Sequence, residues 1–113
     1  MSVNSQTVIS LGAELDSLES KLANRTACVG VVGLGYVGLP LGLLFADAGF
    51  RVTGFEIDPQ KVEKLSRGES YIYRVPSTEV QLARMKQFSA TVDYSVIAGM
   101  DAVIICVPTP LNE

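Results

Sequence analysis

The sequence predicts an α/β fold, a doubly wound parallel sheet of about four strands with an N-terminal helix. Short apolar, β-branched runs alternate along the chain with segments of helical character, and Gly or Pro marks the boundaries. The run at 102–107 is apolar throughout, as expected for a parallel strand covered on both faces. A chain of 113 residues with 48% apolar and 19% charged residues fits one domain with a buried core.

A helix is predicted over 11–23, where leucines recur every three or four residues. This single apolar stripe consists of Leu11, Leu15, Leu18 and Leu22. Two interpretations are open: a short coiled-coil or dimer seam, and a helix that packs against its own domain. The second is favoured because two heptads are few for a coiled coil.

The remaining elements have local signals. Strands are expected at 28–32, 51–56, 88–92 and 102–107, and helices at about 36–48, 58–66, 77–86 and 94–98, with a loop over 69–77. Asp58 is a good N-cap before Pro59, and Ser77 or Thr78 can cap the next helix. Right-handed crossovers then put strand one in the middle, strands two and three on one side and strand four on the other.

A glycine motif, Gly33-x-Gly35-x-x-Gly38, follows strand one and opens a helix. Gly33 allows the tight turn, Gly35 lets a diphosphate approach the backbone, and Gly38 lets the helix lie close to the sheet. The free N–H groups and the dipole of the helix favour an anion there. The pattern is typical of a Rossmann-type fold, although a glycine turn that only packs a helix on a strand is the alternative.

Glu56 lies 18 residues after Gly38, at the carboxyl end of strand two. A carboxylate there can accept both hydroxyls of an adenosine ribose and repels a 2′-phosphate, which favours NAD over NADP. The alternative is a solvated Glu. Asp58 is better explained as a helix cap. Lys61 is close enough in sequence to touch the adenosine end, but a surface charge is the simpler interpretation.

Val107, Pro108 and Thr109 follow the fourth strand, where open α/β sheets bind ligands near the switch in strand order. Thr109 is placed to donate its hydroxyl to the cofactor, and the prolines would stiffen its backbone. An ordinary rigid turn is the alternative.

Composition excludes several classes of function. The chain has no His, which rules out a His base, a Ser-His-Asp triad and a His-ligated metal within it. Two Cys are too few for a disulfide scaffold or a four-Cys zinc site. Nine basic against twelve acidic residues give no basic surface for nucleic acid. No signal peptide or membrane span is apparent, so we expect a soluble, cytoplasmic protein. From its composition we also expect no metal-ligating site.

Four blocks in order, V-G-V-V-G-L-G-Y-V-G-L-P-L, V-T-G-F-E-I-D-P-Q-K-V-E-K-L, G-E-S-Y-I and I-I-C-V-P-T-P-L, resemble the UDP-glucose/GDP-mannose 6-dehydrogenase family. The similarity covers about 24–113. The nearest branch is the UDP-N-acetylglucosamine and UDP-N-acetylmannosamine 6-dehydrogenases, since the segment N-R-T-A-C-V-G is similar to that branch. Such enzymes use two NAD to oxidise the C6 alcohol of a nucleotide sugar to a carboxylate, through intermediates on a cysteine.

The resemblance implies cofactor binding by Gly33, Gly35, Tyr36, Val37, Gly38, Glu56 and Thr109, to which we add Lys61, Val107 and Pro108. The family more often has Asp where this chain has Glu56, a conservative change. The resemblance divides the chain into a helical extension, 1–24, and a truncated NAD-binding domain, 25–113. It places the catalytic cysteine, its Lys and Asn partners and the sugar-binding domain beyond residue 113.

The part of the enzyme given by this sequence is therefore expected to be inactive alone, and UDP-sugar would bind only to a full-length enzyme, which is expected to be a homo-oligomer. Cys28 and Cys106 are expected to be buried, unreactive thiols at opposite ends of the sheet. The free edge beside strand four invites self-association. A stand-alone nucleotide-binding module and another Rossmann protein that uses FAD or S-adenosylmethionine are the alternatives.

Overall fold

A computed structural model describes residues 5–107, and the side chains of residues 15–107. Its elements, in chain order, are α1 (Ser5–Asn24), β1 (Cys28–Val32), α2 (Gly38–Asp47), β2 (Arg51–Phe55), α3 (Pro59–Ser66), α4 (Ser77–Lys86), β3 (Phe88–Thr91), a 3₁₀ helix (Tyr94–Gly99) and β4 (Ala102–Ile105). No helix among these residues combines the length and the apolar character needed to cross a bilayer.

The four strands form one parallel sheet in the order β3-β2-β1-β4, which confirms the predicted order. At the middle of the sheet, Val31 of β1 lies opposite Gly54 of β2 on one side and Ile104 of β4 on the other. Because all the strands run the same way, their carboxyl ends meet at one edge. The residues that follow β1, β2 and β4 are therefore neighbours.

The two faces of the sheet are covered differently. On one face, alternate residues of β1 and β2 pack beneath α2 and α4 in a core that includes Val29, Val31, Leu39, Leu43, Val52, Val80 and Phe88. On the other face, Met100 packs against β1: a Cβ added at Gly30 would lie 3.0 Å from Met100 Cγ. The ring centroids of Phe55 and Tyr94 lie 5.6 Å apart. The connection from β3 to β4 thus crosses the face opposite the helices, which agrees with a doubly wound sheet.

The first helix is present but does not pack as expected. Leu15 and Leu22 are 65% and 41% exposed, so the interpretation of a helix laid on its own domain is wrong for them. The last turn joins α1 to the sheet. There the Lys21 carbonyl accepts N–H groups from the residues before β1, and its ammonium lies 3.0 Å from Asp101 Oδ1. An apolar stripe specifies which face of a helix avoids water but not what covers it.

Three local expectations need correction. The helix expected from residue 36 begins at Gly38, so Tyr36 and Val37 belong to the loop before it. The Ser77 hydroxyl does not cap α4; it accepts the Ser70 N–H at 3.0 Å, and Pro76 is the capping residue. Strand four ends at Ile105, two residues earlier than expected.

Strand β4 is also less covered than its sequence predicts. Within residues 5–107 it pairs with β1 alone, and Val103 and Ile105 are 40% and 69% exposed. The prediction of a strand covered on both faces is therefore not met by the described part of the chain. The exposed edge expected beside strand four is present in those residues.

Candidate functional site

The loop between β1 and α2, residues 33–38, is called the glycine loop below. Gly33 has a φ of +89°, and a Cβ there would lie 2.4 Å from the Cys106 carbonyl oxygen. A Cβ at Gly38 would lie only 1.6 Å from the Gly33 carbonyl oxygen. Any side chain at Gly38 would therefore collide with the backbone, so the N-terminus of α2 lies directly on the end of β1, as the sequence predicts.

The glycine loop presents a row of free backbone donors. The N–H groups of Gly35, Tyr36, Val37 and Gly38 have no acceptor among the residues that the structure describes. Nothing lies within 4 Å of a Cβ added at Gly35, and Tyr36 and Val37 are 81% and 67% exposed. Unpaired amides at a helix N-terminus carry partial positive charge, so this surface is suited to an anion.

Leu34 anchors the glycine loop to the sheet, although sequence analysis gave it no role. Its side chain is fully buried and occupies the space that a side chain at Gly54 would take, since a Cβ there would lie 2.6 Å from Leu34 Cδ1. Its N–H donates to Glu56 Oε1 at 3.1 Å. A large apolar residue between two motif glycines is the sequence signal that could have identified this anchor.

Glu56 lies directly after β2 and is only 7% exposed, so the alternative of a solvated side chain is wrong. Each of its carboxylate oxygens accepts one backbone N–H, from Leu34 at 3.1 Å and from Asp58 at 3.0 Å. The carboxylate therefore holds the backbone at Leu34 and at Asp58. The spacing of Glu56 from the glycine motif did not predict this structural role. Each oxygen retains a lone pair for a further donor. Asp58 also caps α3, as expected, by accepting the Gln60 N–H at 2.9 Å.

Tyr71 completes the surroundings of the loop and is a second residue that sequence analysis missed. Its hydroxyl donates to the Leu34 carbonyl oxygen at 2.6 Å. Burial raises the pKa of Tyr71 well above its usual value, and the negative charges of Glu56 and Asp58 raise it further, so the hydroxyl stays a donor. The segment 69–77 has no periodicity that predicts its structure. Tyr71 contacts the loop only in the folded domain, so the sequence gives no signal for it.

Lys61 lies on α3, and its Nζ is 5.5 Å from the centroid of the Tyr71 ring. This distance is within the range of a cation–π contact. The side chain is partly buried rather than free on the surface, so the interpretation as a plain surface charge is too simple.

The residues after β4 are described only in part. Val107 is 76% exposed, while Pro108 and Thr109 lie outside the described residues. The two thiols are free: Cys28 begins β1, and Cys106 donates its N–H to Val32 at the far end of that strand. They lie at opposite ends of the sheet, as expected, but both are only partly buried.

A cavity of about 540 Å³ lies between α2 and α4. Leu43, Leu44 and Leu82 form much of its apolar wall, and Asp47 and Lys86 border it. It excludes the glycines of the loop and Glu56, and Tyr36 is the one loop residue that borders it. The cavity is therefore distinct from the surface at Gly35 and Glu56.

The described residues form a parallel sheet with a glycine loop after the inner strand β1, backbone amides that open the following helix and an acid after the neighbouring strand β2. This combination defines a dinucleotide-binding α/β domain. The family model for the UDP-glucose/GDP-mannose dehydrogenase family, NAD binding domain, matches residues 27–113. The chain belongs to this family and carries its NAD-binding domain.

Individual relatives agree with this family. The chain is 32% identical over 87 residues to a UDP-N-acetyl-D-mannosamine dehydrogenase of Pyrococcus horikoshii, which covers 74% of this chain and 21% of that protein. It is 32% identical over 84 residues to a UDP-N-acetyl-D-glucosamine 6-dehydrogenase of Salmonella typhi, covering 74% and 19%. The structure of a UDP-glucose dehydrogenase from Pyrobaculum islandicum superimposes with a TM-score of 0.67 at 33% identity, covering 75% and 21%. The chain thus spans about a fifth of the length of these relatives.

Proposed function

We propose that this chain holds NAD at the carboxyl edge of its sheet, for a nucleotide-sugar 6-dehydrogenase that oxidises the C6 alcohol of a UDP-sugar to a carboxylate with two NAD. The observation that carries the proposal is the row of four amides, 35–38, that find no acceptor among residues 5–107, next to the buried Glu56 carboxylate. When bound, NAD supplies the hydride acceptor. The protein's part is to bind the cofactor and to orient it.

The residues of the site fit this cofactor. The amides of Gly35, Tyr36, Val37 and Gly38 would bind the diphosphate, and the open backbone at Gly35 would allow close approach. Gly33 supports this geometry through its positive φ.

The adenosine end would lie toward β2 and α3. The free lone pairs of Glu56 would accept the ribose hydroxyls, and its negative charge would repel a 2′-phosphate, so NAD is preferred over NADP. Lys61 would lie beside the adenosine. Val107, Pro108 and Thr109 would contact the cofactor from the end of β4, with the Thr109 hydroxyl as a donor.

For the protein as a whole we propose a cytoplasmic, homo-oligomeric enzyme of nucleotide-sugar metabolism that serves polysaccharide biosynthesis and has no nucleic-acid or membrane partner. The named relatives support the substrate class. We expect no NADH from the 113-residue chain alone when it is mixed with NAD and UDP-N-acetylglucosamine. Turnover under these conditions, followed by NADH absorbance, would contradict that expectation.

Calorimetric titration of the 113-residue chain tests cofactor binding, with NAD, NADP, FAD and S-adenosylmethionine compared at one salt concentration. NAD should bind most tightly. Gly35→Ala should weaken NAD binding about tenfold or more, about 1.4 kcal/mol, because the new methyl group occupies the approach of the diphosphate.

Gly99→Ala is the matched control, because it too would place a methyl group with no atom within 4 Å, but on the 3₁₀ helix. Both variants should keep the wild-type free energy of unfolding to within about 0.5 kcal/mol. Tighter binding of FAD or S-adenosylmethionine than of NAD, or equal NAD affinity of the two variants, would reject the proposed site.

A further inference from the structure

Both backbone polar groups of Leu34 are held by side chains from distant parts of the chain. Glu56 accepts its N–H at 3.1 Å, and Tyr71 donates to its carbonyl oxygen at 2.6 Å. The Leu34 side chain is fully buried beneath these contacts. The residue is therefore fixed by three separate contacts, of which only the Tyr71 hydroxyl acts on the peptide that leads to Gly35.

The orientation of the Leu34–Gly35 peptide determines the direction of the Gly35 N–H. The Leu34 carbonyl and the Gly35 N–H belong to one planar unit, and the described residues contain no cis peptide bond. In a trans peptide the two groups point in opposite directions, so a fixed carbonyl also fixes the N–H. Glycines on both sides of Leu34 give the backbone unusual freedom to rotate this plane. A contact that restrains the peptide is therefore needed to fix the Gly35 N–H.

We propose that Tyr71 is a positioning residue for the dinucleotide site: its hydroxyl holds the Leu34–Gly35 peptide so that the Gly35 N–H faces the diphosphate before the ligand arrives. The inference rests on the proposed function, because it assigns a role at the same site. Preorganisation of this kind lowers the cost of ordering the loop on binding.

The surroundings of the ring support a fixed hydroxyl. Tyr71 is partly buried against the core, and Lys61 Nζ lies 5.5 Å above the ring centroid. Tyr73, two residues further on, is 99% exposed and contributes nothing comparable. The segment between α3 and α4 therefore directs one of its two tyrosines to the glycine loop and the other to solvent.

The test compares Tyr71→Phe with Tyr73→Phe, each of which removes one hydroxyl group. Tyr71→Phe should weaken the binding of NAD and of ADP about 3- to 10-fold, the range expected for one hydrogen bond, and leave the affinity for adenosine, which has no phosphate, unchanged. Tyr73→Phe should match the wild type for all three ligands. Replacement of Tyr71 by 4-aminophenylalanine, which keeps a donor, should restore NAD binding.

The outcomes separate the two proposals. If the wild-type chain does not bind NAD, the proposed function fails. If the wild type binds NAD and Tyr71→Phe binds it equally well, or if adenosine binding falls in parallel with ADP binding, the positioning role is overturned. If Tyr71→Phe does not fold, the proposal is tested instead by NMR of the Gly35 amide in the wild-type chain. Its NMR signal should be single and sharp without ligand, and exchange broadening would overturn the inference.

Discussion

Replacement of Gly54 by alanine tests the packing that anchors the glycine loop. Gly54 lies in β2 outside the glycine motif, yet a Cβ there would lie 2.6 and 2.7 Å from the two methyl groups of Leu34 and 3.1 Å from its Cγ. Ordinary carbon contacts are about 3.5–4.0 Å. The Leu34 side chain would therefore have to move by about 1 Å within a filled core.

The expected cost of Gly54→Ala follows from two opposing effects. Overpacking of a core costs about 1–3 kcal/mol, whereas alanine in place of glycine within a strand gains about 0.5–1 kcal/mol. We therefore expect the free energy of unfolding to fall by about 0–2.5 kcal/mol. Because the displaced residue is Leu34, NAD binding should weaken as well, although Gly54 is not expected to touch the cofactor.

A double-mutant cycle with Leu34→Ala isolates this contact. Leu34→Ala alone should cost about 2–5 kcal/mol, since it leaves a cavity in the core. In the double variant the methyl group introduced at position 54 would enter that cavity without a clash. The double variant should therefore be more stable than the sum of the single effects predicts, by about 1 kcal/mol or more.

Urea unfolding followed by circular dichroism gives all four free energies. Single effects that add to within about 0.3–0.5 kcal/mol would show that Leu34 does not occupy the space beside Gly54, and would refute the anchoring of the loop.

Three further predictions concern parts of the chain outside the loop. Leu15→Asp and Leu22→Asp should each change the free energy of urea unfolding by less than about 0.5 kcal/mol, because both side chains are exposed; a cost above about 2 kcal/mol would show a buried helix face. The Cys28 N–H and the Lys21 ammonium lower the pKa of Asp101 below 3.8, so its stabilising effect is complete above that value and is lost as the pH falls through the lower, folded-state pKa. The stability difference between wild type and Asp101→Asn, measured by urea unfolding, should therefore shrink below about pH 4; a difference independent of pH would contradict the contact. Ile105→Lys should reduce concentration-dependent self-association in sedimentation velocity, because it puts a charge on the exposed β4 edge; a wild-type chain that stays monomeric at all concentrations would reject that prediction.

The elements that the sequence predicted well are those with local signals. The bounds of β1 match the apolar run 28–32, and α3 begins at Pro59 after the Asp58 cap, as expected. The order of the strands follows from connection rules that need no side-chain detail. The covering of α1 and β4 could not be predicted in this way, because an apolar pattern does not identify its partner.

The contacts around Leu34 could not be predicted from the sequence for another reason. Its partners Glu56 and Tyr71 are 22 and 37 residues away in sequence, and they meet only when the sheet has formed. Glycine spacing predicts that a loop can bind a phosphate, but not what holds the loop in place. The residues proposed to contact the cofactor could thus be inferred from the motif. The residues that support the loop could be identified only from the folded structure.

The two hydrogen bonds of Glu56 change how its substitution must be interpreted. In the proposed site Glu56→Ala would remove the ribose contact, and it would also deprive the Leu34 and Asp58 N–H groups of their acceptor. A buried donor without a partner costs about 1–3 kcal/mol, comparable to the loss expected from the ribose alone. Weaker NAD binding by Glu56→Ala would therefore not separate recognition of the ribose from support of the loop. The ratio of NAD to NADP affinity does separate them. A disturbed glycine loop weakens both cofactors, whereas loss of the Glu56 charge also removes its repulsion of the 2′-phosphate and so lowers the preference for NAD.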